Sequence, residues 1–278
     1  MNKKLIALAV AGTLASPMMA HADEAPSPLT FNVGVVSDYL FRGVSQTHGK
    51  PAVQAGVDYA FSNGFYVGAW ASNVTWVKDW IGDGKMEVDV YGGYKGAITA
   101  DLGYDIGYIT YNYPGKGAAT AWLANPNTQE AYLGLSYKWL SAKYSYATSS
   151  HFIGWYGGPA YDQKTRGSDY LELNANYDLG DGWTLIGHVG HQKVKGYVDT
   201  PALKSADYTD WKIGVSKDVG FGVVTLAYSD TNAKGSCSSA GGTSSYCWGN
   251  NGSQAAAPSS GFKDVARGTA VLSFVKTF

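Results

Sequence analysis

Charged residues make up only 15% of this 278-residue chain, and many of those in strand-like stretches fall in step with a two-residue period. In Met86–Lys95, Glu87, Asp89, Tyr91 and Lys95 alternate with Met86, Val88, Val90 and Tyr94. In Ala52–Phe61, Asp58 shares a parity with Gln54 and Gly56, against Val53, Ala55, Val57, Tyr59 and Phe61. The same reading collects Asp38, Arg42, Asp101, Asp105, Glu130, Lys138, Lys143, Glu172, Asp210 and Lys212. Successive side chains of a strand point to opposite faces, so these ten, with Asp58, Glu87 and Asp89, gather thirteen charged groups on one face of a series of strands. Carboxylates and ammonium groups arrayed in this way can attract, exclude or pass ions. They form no pattern for covalent catalysis or metal binding.

Other reactive residues are few. Cys237 and Cys247 enclose SSAGGTSSY, which suits a disulfide in an exported chain. Closing a loop of that length removes roughly 2.5–3 kcal/mol of unfolded-state entropy in the chain model. No G-x-S-x-G occurs, and His188 and His191 differ in parity, so they share no face on a regular strand. Ser149 and His151 are the one hydrolase-like pair, so a lipid-hydrolysing barrel stands as a minor alternative. No enzyme, cofactor or metal site is expected.

The elements that hold the charged face are strands. Phe31–Arg42 opens the set, with Phe31, Val33, Val35, Tyr39 and Phe41 on one parity. Eleven similar stretches follow, roughly Ala52–Phe61, Phe65–Val74, Met86–Lys95, Ile98–Tyr108, Gln129–Trp139, Leu140–Ala147, Tyr170–Leu179, Trp183–Gln192, Tyr208–Lys217, Phe221–Ser229 and Gly268–Phe278. Phe65–Val74 and Trp183–Gln192 do not separate into two faces. Short connections such as Ser62–Gly64 and Gly180–Gly182 alternate strictly with long ones such as Thr148–Asp169 and Asp230–Arg267. Aromatics (Tyr59, Phe61, Phe65, Tyr94, Trp139, Tyr177, Trp183 and Phe221) flank the short ones. One face apolar, the other charged, and an even number of strands together predict a closed barrel with lipid outside and water inside. A Lys or Arg on the lipid face near mid-membrane costs roughly 2–4 kcal/mol, so the thirteen charges belong to the lumen. The fold class expected is all-β, a transmembrane antiparallel up-and-down barrel of about twelve strands with short periplasmic turns and long extracellular loops.

The chain starts with Lys3 and Lys4, a short apolar run Leu5–Leu14 and the A-x-A site Ala20-His21-Ala22. This reads as a cleaved signal peptide over residues 1–22, followed by a lead-in over 23–30 and one barrel domain over 31–278 that carries the Cys-containing loop 230–267. Removing Lys3 and Lys4 from 21 basic residues leaves 19 against 22 acidic ones, a formal charge of −3, which is not the balance of a nucleic-acid binder.

The runs VSDYLFRGVSQT and KPAVQAGVDYAFSNGFYVGAWASNV resemble the opening of the TorF-type family of proteobacterial porins. MEVDVYGGYKG, ITYNYPG at Ile109–Gly115 and the closing SFVKTF resemble later parts of that pattern. The likeness runs from about Phe31 to Phe278 and is weakest in Thr148–Asp169 and Asp230–Arg267. It implies an outer-membrane barrel of a Gram-negative bacterium and carries over no functional residue. Phe274 and the terminal Phe278 resemble the signal read by the barrel-assembly machinery, although Lys276 departs from it.

The expected function is passive diffusion of ions or small hydrophilic solutes through a narrow lumen with acidic excess. Outer-membrane lipid, the assembly machinery and the solutes are the partners. The alternative is a non-conducting barrel whose loops bind a partner. A soluble secreted β-protein is the remaining reading. Barrels of eight strands fill with side chains and those of sixteen to eighteen leave an open channel, so twelve strands fit a narrow channel or a plugged one. Arg42, expected inside the first strand and within reach of a cross-strand partner such as Asp58, is a constriction residue or a structural tie.

Overall fold

The computed structural model describes residues 27–81, 84–115, 124–156, 163–196, 206–233, 246–248 and 263–278. The expected leader lies outside them. The strands in chain order are β1 (Leu29–Val36), β2 (Leu40–Phe41), β3 (Val44–Ser45), β4 (Ala52–Ala60), β5 (Phe65–Asn73), β6 (Met86–Ala97), β7 (Leu102–Asn112), β8 (Thr128–Tyr137), β9 (Leu140–Ala147), β10 (Asp169–Gly180), β11 (Trp183–Lys193), β12 (Tyr208–Asp218), β13 (Val223–Thr231), β14 (Cys247–Trp248), β15 (Lys263–Asp264) and β16 (Thr269–Thr277). Twelve close a barrel in the order β1-β16-β13-β12-β11-β10-β9-β8-β7-β6-β5-β4, while β2–β3 and β14–β15 are two small ribbons. Neighbours pair antiparallel throughout. The seam joins the first and last strands, from Asn32 opposite Thr277 to Val36 opposite Ser273.

Outward positions carry Phe31, Val33, Val35, Val53, Val67, Val90, Ile106, Leu133, Leu171, Leu173, Ile213, Leu226 and Leu272, all exposed. A continuous apolar surface of this extent cannot face water, and a closed barrel leaves no unpaired strand edge in lipid. Among the described residues no helix is long and apolar enough to cross a membrane. At the short-turn end, Tyr59 packs edge-on against Phe61 (4.8 Å), Phe65 against Tyr94 (5.0 Å) and Trp139 against Tyr177 (5.7 Å). Phe221 and Trp183 stand exposed beside them. This is the aromatic belt expected where a barrel leaves the bilayer.

The first strand departs from expectation. It ends at Val36, and Asp38–His48 turn into the barrel. Tyr39 is buried and Phe41 half-buried, so neither faces lipid. The seventh strand starts at Leu102 because Ile98–Asp101 form a turn. Thr99 Oγ1 accepts from the amides of Asp101 and Leu102 there, the local bonding by which a threonine sets a turn. The two stretches with unresolved faces are β5 and β11. Tyr66 and Trp70 turn inward from β5, and Ile186 turns inward from β11 among polar lumen residues, which blurred the alternation.

At the long-loop end a short helix, α1 (Trp76–Ile81), packs the Trp76 ring on Tyr113 (4.9 Å) and near Trp248 (6.1 Å). Cys247 is disulfide-bonded, and Cys237 lies outside the described residues.

Candidate functional site: a charged lumen crossed by an inward ribbon

Most of the expected lumen residues do face the interior, on two walls of different character. The first wall runs from β4 to β8. Tyr91 donates to Asp58 (2.7 Å), Tyr66 to Asp105 (2.7 Å), Tyr111 to Glu130 (3.1 Å) and Tyr39 to Glu87 (3.1 Å). Tyr66 also shares a hydrogen bond with Tyr132, and Lys95 sits 3.8 Å from Asp105. A tyrosine hydroxyl satisfies a carboxylate without cancelling its charge. Glu87 Oε2, Asp89 Oδ1 and Glu130 Oε1 are buried with no hydrogen-bond partner among the described residues.

The second wall runs from β9 to β12, and basic side chains meet its carboxylates. Lys143 lies 2.9 Å from Glu172, and Asn174 donates to Glu172 (3.1 Å). His188 Nε2 lies 2.8 Å from Asp210, to which Tyr170 also donates (2.8 Å). Lys212 lines the same cavity. Between the walls, β13, β16 and β1 present small or uncharged side chains such as Thr225, Ala227, Ser273, Val275 and Asn32. The interior cavity between these surfaces measures ≈ 160 Å³.

The ribbon β2–β3 crosses this space. Its turn is Arg42-Gly43, with φ of +51° and +78°. Two positive φ values are what a two-residue hairpin turn requires. Glycine meets that requirement freely, but an arginine there is strained. Gly43 also packs so closely on Asp210 and Thr231 that a Cβ would collide with both. The guanidinium that this turn projects is buried. It donates to Glu130 (2.6 Å) and Gln192 (2.7 Å) and lies 4.7 Å from the Phe41 ring and 4.3 Å from the Tyr170 ring. The ribbon is fastened at its base, where Ser45 (2.6 Å) and Thr47 (3.0 Å) donate to Asp38. Burial pushes the Asp38 carboxyl up from its ordinary range, against these two hydrogen bonds and the charge of Lys263. The SDYLFRGVSQT cluster therefore encodes a hairpin with its base tie and its tip residue.

Three expectations are corrected by this geometry. Arg42 sits at a ribbon tip, not in a barrel strand, and its carboxylate partner is Glu130 rather than Asp58. Asp101 and Lys138 are exposed at the short-turn end, 3.8 Å apart, and do not line the lumen. Both fell on the lumen parity only because the turns were read as strand, and Lys138 takes φ +54° to make its turn. The Ser149 hydroxyl donates to the His151 carbonyl (2.9 Å), so these two do not form a serine–imidazole pair. Phe274 is half-buried and Phe278 exposed at the short-turn end.

Of the lumen tyrosines only Tyr91 was placed on the charged face from sequence; Tyr66, Tyr111, Tyr132 and Tyr170 were not read as lumen residues. The signal was parity, since Tyr91 shares a face with Asp89 and Lys95. A second signal was glycine. A Cβ at Gly68, Gly107 or Gly190 would collide with the ring of Tyr91, Tyr132 or Tyr170, so each ring lies over a glycine of the neighbouring strand. His188 and Gln192 were missed because β11 showed no clear faces.

Fold and lumen together define a transmembrane β-barrel of twelve strands with a charged, partly occluded interior. The chain belongs to the family described as "Bacterial protein of unknown function (Gcw_chp)", which it matches over residues 20–251. None of the curated proteins matches it. Similar solved structures include a KdgM porin in complex with disordered oligogalacturonate (9% identity, 90% of this chain and 98% of that one, TM-score 0.49). A NanC porin (11% identity, 89% and 98%, TM-score 0.49) and Pseudomonas aeruginosa OprD (12% identity, 90% and 66%, TM-score 0.39) are others. The strand count and closure of this barrel rest on its own hydrogen-bond ladder.

Proposed function

We propose that the protein is a porin-like channel of the Gram-negative outer membrane, of the TorF type that its sequence resembles. It passes ions and small hydrophilic solutes by diffusion, with a weak preference for cations. The short turns then face the periplasm, the long loops face outward, and Phe278 serves as the signal for barrel assembly. The observation that carries this reading is the first wall. Its carboxylates are held largely by neutral tyrosine hydroxyls, so their negative charge remains available to a permeating ion. Rings of carboxylates are a recognised basis of cation selectivity, and conduction requires contacts weak enough to release. The ribbon narrows the path at Arg42, which suits low conductance.

Planar-bilayer recording of the refolded protein under a salt gradient tests the proposal. Discrete steps with a reversal potential on the cation side are expected. Clear anion preference would sink the selectivity, and the absence of steps would sink the channel. A second reading draws on the same ribbon: with Arg42 tied to both Glu130 and Gln192, the barrel is a closed anchor whose loops bind a partner. Steps that appear only after Arg42→Ala would favour it.

A further inference from the structure

We propose that the first wall holds a small organic cation carrying a guanidinium group, seated on Asp89 in the cavity beside the ribbon. Asp89 is only 6% exposed, lines the cavity, and has one carboxylate oxygen without a hydrogen-bond partner among the described residues. Glu87, two residues earlier on the same face of β6, has another. A buried carboxylate oxygen left unpaired is costly, and a cation with N–H donors is what it lacks.

The surroundings select the kind of cation. Trp70, Tyr91 and Tyr111 line the cavity together with Asp89. Aromatic faces beside a carboxylate recognise flat, weakly hydrated cations. A divalent metal ion needs several oxygen ligands converging on one point. Among the described residues, no three His, Cys, Asp or Glu side chains are placed to hold one. The chain also supplies its own example of the recognition. The Arg42 guanidinium rests on a carboxylate and an amide while lying over the rings of Phe41 and Tyr170. That charge is matched by Glu130, whereas Asp89, between its cross-strand partners Trp70 and Tyr111, has a comparable aromatic setting and no cation paired with it among the described residues.

This inference goes beyond the channel reading, because a binding site needs no conduction. Agmatine is the probe, used with the refolded full-length barrel in two measurements. Isothermal titration should give one site per chain. Asp89→Asn should weaken binding about tenfold or more, as loss of a charge-assisted hydrogen bond implies. Asp101→Asn, at the exposed turn, should leave binding unchanged, and heat-modifiable gel migration checks that each variant is folded. In bilayers, agmatine should reduce potassium current, and Asp89→Asn should relieve the block. Steps without block and no heat of binding would overturn the site and leave the channel standing. Binding without steps would support the site and overturn the channel. Binding that survives Asp89→Asn would overturn the assignment to Asp89.

Discussion

The two charged walls of the lumen are built from the same residue types on the same strand parity, yet they handle charge in opposite ways. On the β4–β8 wall, Asp58, Glu87 and Asp105 each accept from a tyrosine hydroxyl, and among the described residues Lys95 alone approaches as a strand-borne cation. On the β9–β12 wall, Glu172 meets Lys143 and Asp210 meets His188. Neutral donors leave a field, whereas the Lys143 ammonium cancels that of Glu172. What a lumen carboxylate does is therefore decided by the residue opposite, not by its own position. Arg42 ties the walls together, because it reaches Glu130 on the first and Gln192 on β11.

The strongest way to break the comparison is to remove that tie. Arg42→Ala leaves Glu130 buried and unmatched, and breaking one side of a buried pair costs about 3–5 kcal/mol. Urea unfolding in detergent or lipid should move to lower denaturant by that amount. Adding Glu130→Gln should recover much of the loss, since the stranded charge goes with it. Conductance should rise in both variants. A single variant as stable as the parent would mean that the pair does not hold the ribbon.

Next in size is a contrast between adjacent residues. Val90→Arg puts a cation on the lipid face and should cost roughly 2–4 kcal/mol, with ion selectivity unchanged. Asp89→Asn should do the reverse, leaving unfolding nearly unaltered and moving the reversal potential away from cations. If both changes acted on selectivity, the inside and outside of β6 would not be separated as described.

That contrast marks how far the sequence could be read. Alternation on β4, β6 and β12 was plain because Val53, Val90 and Ile213 face lipid, and lipid tolerates nothing polar at that depth. Strand count, closure of β1 on β16 and the inward parity of Asp58, Glu87, Asp89, Asp105, Glu130, Lys143, Glu172, Asp210 and Lys212 followed from it. The ribbon was not legible, since Tyr39 and Phe41 continue the apolar parity of β1 and no local signal says that the chain leaves the wall at Ser37. Only Arg42-Gly43, a pair able to take positive φ at a hairpin tip, hinted at the turn. Pairing partners were also out of reach. Glu130 is 88 residues from Arg42, and nothing in the sequence sets which strand faces which across a lumen.

A smaller effect distinguishes the walls directly. Lys143→Ala exposes the Glu172 charge to the lumen while Asn174 still donates to it, so a loss of about 1–3 kcal/mol is expected. Cation preference in the reversal potential should increase. Tyr91→Phe on the other wall removes a neutral donor from Asp58. It should cost about 1 kcal/mol and leave the lumen charge as it was. Equal shifts in selectivity from the two changes would erase the distinction between a cancelled charge and a retained one.

The smallest effect belongs to the pair that parity placed in the lumen and the turns place outside it. Asp101 and Lys138 are 57% and 51% exposed along their side chains and 3.8 Å apart. An ion pair in that setting is worth about 0.2–1 kcal/mol and weakens with salt. Asp101→Asn and Lys138→Gln should each shift unfolding by no more than this, and less in high salt. Neither should move the reversal potential, because a charge at the water-exposed rim is screened before it reaches the constriction at Arg42. A change in selectivity from either variant, as large as that from Asp89→Asn, would return these two residues to the permeation path. It would also mean that the selectivity of the barrel is set at its short-turn mouth instead of at the first wall.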